Sequence, residues 1–446
     1  MRNLSSPIGW IAALILGAVV LATSALADSQ VRIVRLSDAQ GEVQVDRNVG
    51  QGFEKAFLNV PITQGVRLKT GEEGRAEVQF EDGSTLRLTP HTVAIFSELS
   101  RRSSGATAST VELQEGMMYV NFLADKNSVL TLDFGREQAV LTRPAHLRLE
   151  MGDTKSTLAV FKGEVKAEGP SGTATAEKKQ TVTFDLANQD SFELAKNVEE
   201  DPFDSWDKAQ SDYQQRYTSN SYSNYSPYAY GTTDLNYYGN YMDLPGYGTV
   251  WQPYFAGAGW DPFSYGSWLW YPGYGYSWVS GYPWGWTPYH YGAWLFVPGY
   301  GWCWQPGGAW SGWNTWPAAR NAPSGFVAPK PPNSPGHAPV VVTRGGPLPG
   351  PASPSGRLRI ANGWAGVGIP RGSVNNLGKL SERVSEKGWT TTTLHSSPIW
   401  ATPSPSSGFG GPSRVGTPSM APHPIATPHI STPHVSAPHS SPGPHR

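Results

Sequence analysis

Apolar and polar side chains alternate along most of residues 31–184. In residues 75–80 (Arg-Ala-Glu-Val-Gln-Phe) every second side chain is apolar, and residues 131–134 follow the same pattern. A period of two is typical of β-strands with one buried side. Residues 81–84 contain Asp-Gly, which suits the positive-φ positions of a hairpin turn. We therefore predict a sandwich or roll of many short strands, and not a parallel α/β sheet.

A short amphipathic helix is predicted in the polar connector at residues 197–236. Aromatic and amide side chains recur there three and four residues apart, which places them on one helix face. Asp201 or Asp204 can cap the start of the helix. Packing of this face on the β domain is favoured over partner binding. The residues of the face are Phe203, Trp206, Gln210, Tyr213 and Tyr217.

Residues 237–316 repeat a pattern of Trp, Tyr, Gly and Pro with an offset of 26 or 27 positions. Pro-Gly-Tyr-Gly recurs at 245–248, 272–275 and 298–301. This order suits a type II turn, with Pro and then Gly at the central positions. The stretches between the turns suit short strands. Each repeat is therefore predicted to be a β-hairpin whose rings stack on the next copy.

The repeated tryptophans support two hypotheses. In one, exposed indole rings stack on sugar rings or on another apolar surface. In the other, most of the rings form the core of the repeats, and this interpretation is favoured for most of them. The scarcity of charge between residues 251 and 316 still favours an exposed patch somewhere. The candidate contact residues are Trp260, Trp268, Trp278, Trp286, Trp294 and Trp304.

The chain after residue 317 is rich in Pro, Ser, Gly and Ala. We predict disorder at 329–354 and 402–446, because such composition cannot bury a core. An ordered island is predicted at 363–389, with a short helix at 377–387. We interpret the terminal histidines as part of a solvated low-complexity tail and favour this over weak binding of a metal ion. These histidines are His423, His429, His434, His439 and His445.

The first 27 residues have the form of an export signal. Arg2 precedes an uncharged apolar run, and residues 25–27 (Ala-Leu-Ala) fit the small-x-small cleavage pattern. We expect a mature protein of the periplasm or cell surface without a membrane span, and we disfavour an uncleaved anchor. A net charge of −1 gives no electrostatic footprint for nucleic acid. Cys303 is the only cysteine, so we expect no internal disulfide and a packed, unreactive thiol.

Several motifs in the predicted β domain follow one order. They are Gly-Glu-Val-Gln-Val at 41–45, Leu-Lys-Thr-Gly at 68–71, Gly-Arg-Ala-Glu-Val-Gln-Phe at 74–80, Asp-Gly-Ser-Thr-Leu-Arg-Leu-Thr-Pro at 82–90 and Phe-Lys-Gly-Glu-Val at 161–165. This order resembles the periplasmic domain of the FecR family. The resemblance implies an all-β envelope domain within residues 28–196 that binds other proteins or ligands. The founding members sense an outer-membrane transporter and relay its state to a sigma factor.

Two further features refine that resemblance. Only seven residues precede the apolar run, so we expect no cytoplasmic segment that could hold a sigma factor. We therefore expect the domain to be reused as a structural or adhesive module. Residues 237–316 are similar to uncharacterised Trp- and Tyr-rich repeats that follow FecR-like domains in exported bacterial proteins. That similarity implies no particular activity.

The sequence contains no Gly-x-Ser-x-Gly elbow, no His-Glu-x-x-His motif, no phosphate-binding loop and no cysteine pair. We therefore expect a non-catalytic interaction or structural protein of the cell envelope, with no cofactor and no metal. Its expected partner is an envelope protein or a cell-wall or exported polysaccharide. A sensor or regulator related to FecR signalling is the alternative, and a polysaccharide-active enzyme is a weaker one.

Overall fold

The computed structural model describes residues 32–102, 104–125, 128–218, 225–308, 318–344 and 356–394. The predicted signal peptide, the predicted disordered segment at 402–446 and its histidines lie outside these ranges. Within them the chain is mainly β, which confirms the predicted fold class.

Strands β1 to β17 build the first part of the described chain. The predicted turn at 81–84 joins β6 to β7, and Gly83 there has a φ of 89°. The strands are β1 (Val34–Gln40), β2 (Val43–Asp46), β3 (Glu54–Lys55), β4 (Pro61–Ile62), β5 (Arg67–Thr70), β6 (Arg75–Gln79), β7 (Thr85–Leu88), β8 (Val93–Arg101), β9 (Thr107–Phe122), β10 (Val129–Phe134), β11 (Glu137–Leu141), β12 (Ala145–Met151), β13 (Lys155–Lys162), β14 (Glu164–Gly169), β15 (Gly172–Glu177), β16 (Gln180–Asp185) and β17 (Ser191–Ala195).

These strands form two sheets that share β9. The first sheet has the order β17-β16-β13-β12-β9-β7-β6-β1-β4. The second has the order β15-β14-β11-β10-β9-β8-β5-β2-β3. Residues 107–115 of β9 pair within the second sheet, and residues 116–122 pair within the first. Gly116 lies at the change, where its φ of 85° and the nearby His91 carbonyl exclude a side chain.

Aliphatic side chains fill the space between the two sheets. Val78, Leu86, Val120, Leu132 and Leu147 are all fully buried in one continuous cluster. The polar residues that alternate with them are also buried. Glu77 and Arg87 are 0% and 1% exposed, so the outer side of the first sheet is covered as well as the inner side.

Two helices follow the β domain, α1 (Asp204–Tyr217) and α2 (Thr232–Tyr238). Helix α1 lies where the aromatic periodicity predicts a helix. Trp206 and Gln210 contact Arg75 and Asp38 of the β domain, as predicted, whereas Tyr213 and Tyr217 pack against Tyr237 of α2. Neither Asp201 nor Asp204 caps the helix by accepting a hydrogen bond from an N–H of its first turn. Asp201 accepts from the N–H of Phe203 (2.8 Å), and Asp204 accepts from the N–H of Asp201 (3.0 Å), so both carboxylates organise the loop before the helix.

We call residues 237–316 the aromatic region. Its described part, residues 237–308, contains three hairpins, which confirms the hairpin predicted for each repeat. Hairpin 1 is β18 (Gly239–Leu244) with β19 (Gly248–Pro253), hairpin 2 is β20 (Tyr265–Tyr271) with β21 (Gly275–Ser280), and hairpin 3 is β22 (Ala293–Val297) with β23 (Gly301–Gln305). A one-turn helix, α3 (Thr287–His290), lies between hairpins 2 and 3.

Each hairpin closes with the predicted type II turn. The first glycine of each Pro-Gly-Tyr-Gly has a positive φ: 80° at Gly246, 79° at Gly273 and 84° at Gly299. The following tyrosine donates its N–H to the carbonyl three residues earlier, over 3.0 to 3.1 Å. A glycine at this position tolerates the left-handed conformation that the turn requires.

Hairpins 1 and 3 pair with each other through an approximate two-fold relation. Trp251 of β19 lies opposite Trp304 of β23. Gln252 donates from Nε2 to the carbonyl of Tyr300 in the turn of hairpin 3 (2.7 Å), and Gln305 donates to the carbonyl of Tyr247 in the turn of hairpin 1 (2.5 Å). The Trp-Gln-Pro sequence that makes these contacts occurs in both repeats and is absent from hairpin 2.

The segment after the repeats adds β24 (Ala319–Arg320), β25 (Val340–Thr343), β26 (Arg357–Ala361), α4 (Leu377–Lys387) and β27 (Trp389–Thr393). Helix α4 occupies the residues predicted for it. Strand β25 lies inside the range predicted to be disordered and pairs with β20 of hairpin 2, so that prediction is wrong at 340–343. Ordered structure also begins before the predicted island, because β26 pairs with β27 and buries Ile360 in the aromatic core.

Candidate functional site

A cluster of buried charges lies on the outer side of the first sheet, where α1, α2 and the segment after the repeats meet it. Three arginines and three carboxylates take part, and each is between 0% and 8% exposed. We call this set the ion network; its members are Arg35, Glu77, Arg87, Asp207, Asp234 and Arg371.

Glu77 of β6 is the first centre of the ion network. Its Oε2 accepts from Nε of Arg87 on β7 (2.9 Å), its direct cross-strand partner. Its Oε1 accepts from Nη1 of Arg371 (3.0 Å) and from the hydroxyl of Ser37 (2.7 Å). Burial opposes ionisation of Glu77, but Arg87 and Arg371 outweigh it and hold the pKa below its ordinary value.

Asp234 of α2 is the second centre. Its Oδ2 lies 2.7 Å from Nη2 of Arg35 and 2.9 Å from Nη2 of Arg371. Its Oδ1 accepts from the hydroxyl of Tyr213 (2.9 Å) on α1. Arg371 therefore bridges Glu77 of the β domain and Asp234 of the connector. Burial opposes the charge of Arg371, but Asp234 and Glu77 raise its pKa well above the ordinary value.

Asp207 of α1 is the third centre. Its Oδ1 accepts from Nη1 of Arg87 (2.5 Å), and its Oδ2 lies 2.8 Å from Nε2 of His146 on β12. Burial works against ionisation, yet Arg87 and His146 hold the pKa of Asp207 below its ordinary value. Glu77 and Asp207 are thus held ionised against arginines, and Asp234 contacts two arginines directly. These carboxylates fix segments of the chain together and are poor candidates for proton transfer.

The six candidate tryptophans are interior residues. Their exposures are 6% for Trp260, 2% for Trp268, 4% for Trp278 and 0% for Trp286, Trp294 and Trp304. This burial corrects the hypothesis of an exposed row of indoles, and the alternative, an aromatic core, describes these residues. The tryptophan side of each hairpin lies among other rings. The other side of hairpin 2 packs on the β domain, and the other side of hairpins 1 and 3 forms a buried aliphatic cluster of their own residues.

Within the described part of residues 237–316, the two most exposed rings are turn tyrosines. Tyr274 is 36% exposed and Tyr300 is 53% exposed, while Tyr247 is half-buried. The prolines of the three turns are exposed beside them. The Pro-Gly-Tyr-Gly motif was a sufficient signal for these positions, because a turn projects its last residue away from the strands. The candidate contact residues were chosen for their large indole rings, so these tyrosines were not among them.

Two buried side chains of the aromatic region have shifted pKa values that keep them uncharged at physiological pH. Burial, together with Arg35, lowers the pKa of His290 to about 3, so its imidazole stays neutral at physiological pH. Burial raises the pKa of the Cys303 thiol to about 12, which keeps it protonated and unreactive. Both residues behave as packed side chains, and for Cys303 this is what the sequence predicts.

The ion network was not predicted from the sequence, although part of its signal was there. The hairpin at 81–84 sets the register that places Glu77 opposite Arg87, and opposite charges on one face of adjacent strands favour such a pair. Arg371 carried no comparable signal, since it lies 294 positions from Glu77 in the chain.

Comparison with known families gives two matches. Residues 66–166 match the family described as FecR protein. Residues 232–334 match a family of unknown function, DUF6600. No curated protein matches the chain significantly. Within the described residues, none of the helices has both the length and the apolar character needed to cross a bilayer.

Among solved structures, two crystal structures of a "putative anti-sigma factor" from Parabacteroides distasonis, at 1.65 and 2.50 Å resolution, are similar to part of the chain. In both cases the identity is 15%, the TM-score is 0.27, and the similarity covers 31% of this chain and 63% of the other. The matched part thus spans less than two thirds of those proteins. From the two family matches, the chain carries a FecR-family domain followed by a DUF6600 region.

Proposed function

We propose that this protein is an exported, non-catalytic interaction protein of the cell envelope. In this proposal the FecR-like domain and the aromatic region act as one scaffold. The partner is a cell-wall or exported polysaccharide, which the scaffold contacts through the tyrosines at the hairpin turns.

The observation that carries the proposal is the contrast between buried indoles and exposed turn tyrosines. Tyr274 and Tyr300 stand at the tips of glycine-containing turns with an exposed proline beside each. A phenol ring combines a flat apolar face with a polar hydroxyl, which suits contact with a sugar ring. Repetition of the tip gives several weak contacts on one chain, and such contacts add through effective concentration.

Non-catalytic action is supported by the contacts of the carboxylates in the ion network. Glu77, Asp207 and Asp234 each contact at least one arginine directly, so their charges are used in joining segments. A general acid or base instead needs a free position beside a substrate.

The test is binding of the full chain to insoluble polysaccharide, with isolated peptidoglycan and extracted exopolysaccharide as separate probes. We expect Tyr274→Ser with Tyr300→Ser to weaken binding about tenfold, since each lost ring contact costs about 0.5–1.5 kcal/mol. Trp389→Ser is the matched control, because this ring is 50% exposed but lies in β27, away from the turns. Equal binding of the double variant and the wild type would refute the role of the turns.

A second candidate function is that of an envelope sensor or regulator related to FecR signalling. The match of residues 66–166 to the FecR family favours it. Its test is co-purification of the full chain with a membrane-bound regulator, followed by measurement of a sigma-dependent reporter after deletion of the protein. A changed reporter with unchanged polysaccharide binding would favour this second function over the first.

A further inference from the structure

The β domain has four edge strands in its described part, and three of them are protected. Strand β4 lies under hairpin 2, where the hydroxyl of Tyr271 donates to the carbonyl of Pro61 (2.9 Å). Strand β3 is only two residues long. Strand β15 is six residues long, but its exposed side chains are polar or charged: Thr173, Thr175 and Glu177. Short, covered or charged edges are how proteins prevent unwanted strand pairing.

Strand β17 is the exception. It pairs with β16 on one side, and all five of its residues are exposed. Phe192 and Leu194 lie directly opposite Phe184 and Val182, which are each 1% exposed in the core. Directly opposed residues share a face of the sheet, so Phe192 and Leu194 point toward the core side. Nevertheless they remain 37% and 47% exposed.

The opposite face of β17 carries Glu193 between Ser191 and Ala195. Antiparallel pairing of two copies of this chain that buries Phe192 against Leu194 places Glu193 against Glu193. Like charges directly opposite each other destabilise a strand pair. The charge pattern therefore disfavours a second copy of the chain and favours a segment with a basic residue at that position.

We propose that β17 is a docking edge for an extended segment of another envelope protein. The segment adds as a further strand beside β17. Its apolar side chains cover Phe192 and Leu194, and a lysine or arginine between them faces Glu193. Main-chain hydrogen bonds hold such an added strand, and the alternate side chains give it specificity. This edge belongs to the β domain and is separate from the turn tyrosines, so the two proposals can fail independently.

The experiment uses the full chain and two synthetic peptides, Ser-Val-Lys-Val-Ser and Ser-Val-Glu-Val-Ser, with blocked ends and a fluorescent label. Fluorescence anisotropy at low salt measures their affinities. We expect the lysine peptide to bind about fivefold more tightly than the glutamate peptide, because it replaces a like-charge contact by an opposite-charge one. Glu193→Lys should reverse this preference. Hydrogen exchange at residues 191–195 should slow when the preferred peptide binds.

Two variants complete the test. Leu194→Lys should abolish binding of both peptides, whereas Val140→Lys should change nothing, since Val140 is equally exposed (46%) but lies on β11 of the second sheet. The proposal is overturned if neither peptide binds, or if Glu193→Lys leaves the preference unaltered. It is also overturned if the chain forms dimers that Leu194→Lys dissociates, because the occupant would then be a second copy.

Discussion

Hairpin 2 and the pair formed by hairpins 1 and 3 share one sequence repeat but have different neighbours. Leu269 of hairpin 2 packs into the core of the β domain, whereas Leu295, its equivalent 26 positions later, packs into an aliphatic cluster on the far side of the aromatic region. The repeat therefore specifies the hairpin and its turn. Residues that differ between the copies contact the neighbour, among them Gln252 and Gln305.

The contacts of hairpin 2 show the same division. Asn59 of the β domain donates from Nδ2 to the carbonyls of Ser280 (2.9 Å) and Tyr282 (2.8 Å), and Arg47 donates to the carbonyl of Trp270 (2.6 Å). Side chains of the β domain thus hold the backbone of hairpin 2. In hairpins 1 and 3 the glutamines of the repeats themselves do this for each other.

The largest expected effect is at the centre of the paired hairpins. Trp304 is fully buried and lies opposite both Trp251 and Trp294. Trp304→Ala should lower the free energy of unfolding by about 3–5 kcal/mol, the usual cost of removing a large core ring. Urea unfolding measures it, with Trp389→Ala as the exposed control. A loss below about 1 kcal/mol would mean that the two hairpins do not depend on each other.

The next effect concerns hairpin 2 alone. Asn59→Ala leaves two buried carbonyls and Nε of Arg35 without their partner, which should cost about 3 kcal/mol. Hydrogen exchange should quicken at 275–280 and stay unchanged at 301–305. Asn48→Ala is the matched control, because Asn48 also has a positive φ (57° against 64°) but is exposed. Equal losses in both variants would assign the effect to backbone strain.

A smaller effect separates the reciprocal glutamine contacts. Gln305→Ala should cost about 1 kcal/mol, the net value of one hydrogen bond, and Gln252→Ala about 1–2 kcal/mol, because Gln252 also donates to the carbonyl of Trp302 (3.2 Å). Their effects should add to within about 0.5 kcal/mol, because the two contacts lie at opposite ends of the paired strands. Thr249→Ala serves as control, since its hydroxyl bonds Asp243 inside hairpin 1. A measurable loss in only one of the two variants would contradict the two-fold relation.

The smallest effect is expected where the three repeats are equivalent. Val250, Ser277 and Cys303 occupy one position of the repeat, and each is fully buried. Because the pKa of Cys303 is raised to about 12, its thiol stays protonated as the pH rises from 7 to 10. A maleimide reagent should therefore label the folded chain far more slowly than the urea-unfolded chain at every pH from 7 to 10. The rate of the unfolded chain should rise with pH and level off above its ordinary pKa of about 8.5, whereas the slow rate of the folded chain should still be rising at pH 10, because only the thiolate reacts.

Local signals in the sequence predicted the elements well. Alternation gave the strands, Asp82-Gly83 gave a hairpin, Pro-Gly-Tyr-Gly gave type II turns, and the helix at 377–387 was found with its bounds. Each of these features depends on neighbours within a few residues. Burial did not follow so simply, because alternation at Glu77 and Arg87 cannot reveal that α1 and Arg371 cover the polar side of the sheet.

Ring size was a misleading guide to the candidate site for a related reason. An indole can be a contact residue or a core residue, and only the arrangement of hairpins decides between them. That arrangement depends on Gln252 and Gln305 and on Asn59 of the β domain, which the repeat pattern does not contain. The exposed turn tyrosines follow from local geometry and were within reach of the sequence.

The bridging position of Arg371 has a consequence for the order of events during synthesis. Glu77 precedes it by 294 residues, which a ribosome needs roughly 15 to 60 s to add at about 5–20 residues per second. Until Arg371 is added, Glu77 on the outer side of the first sheet lacks one of its two arginine partners. A shortened chain that stops at residue 334, where the DUF6600 match ends, would never contain Arg371 and would leave Glu77 without this partner. Completion of the ion network thus waits for the segment that contains Arg371, which the ribosome adds late.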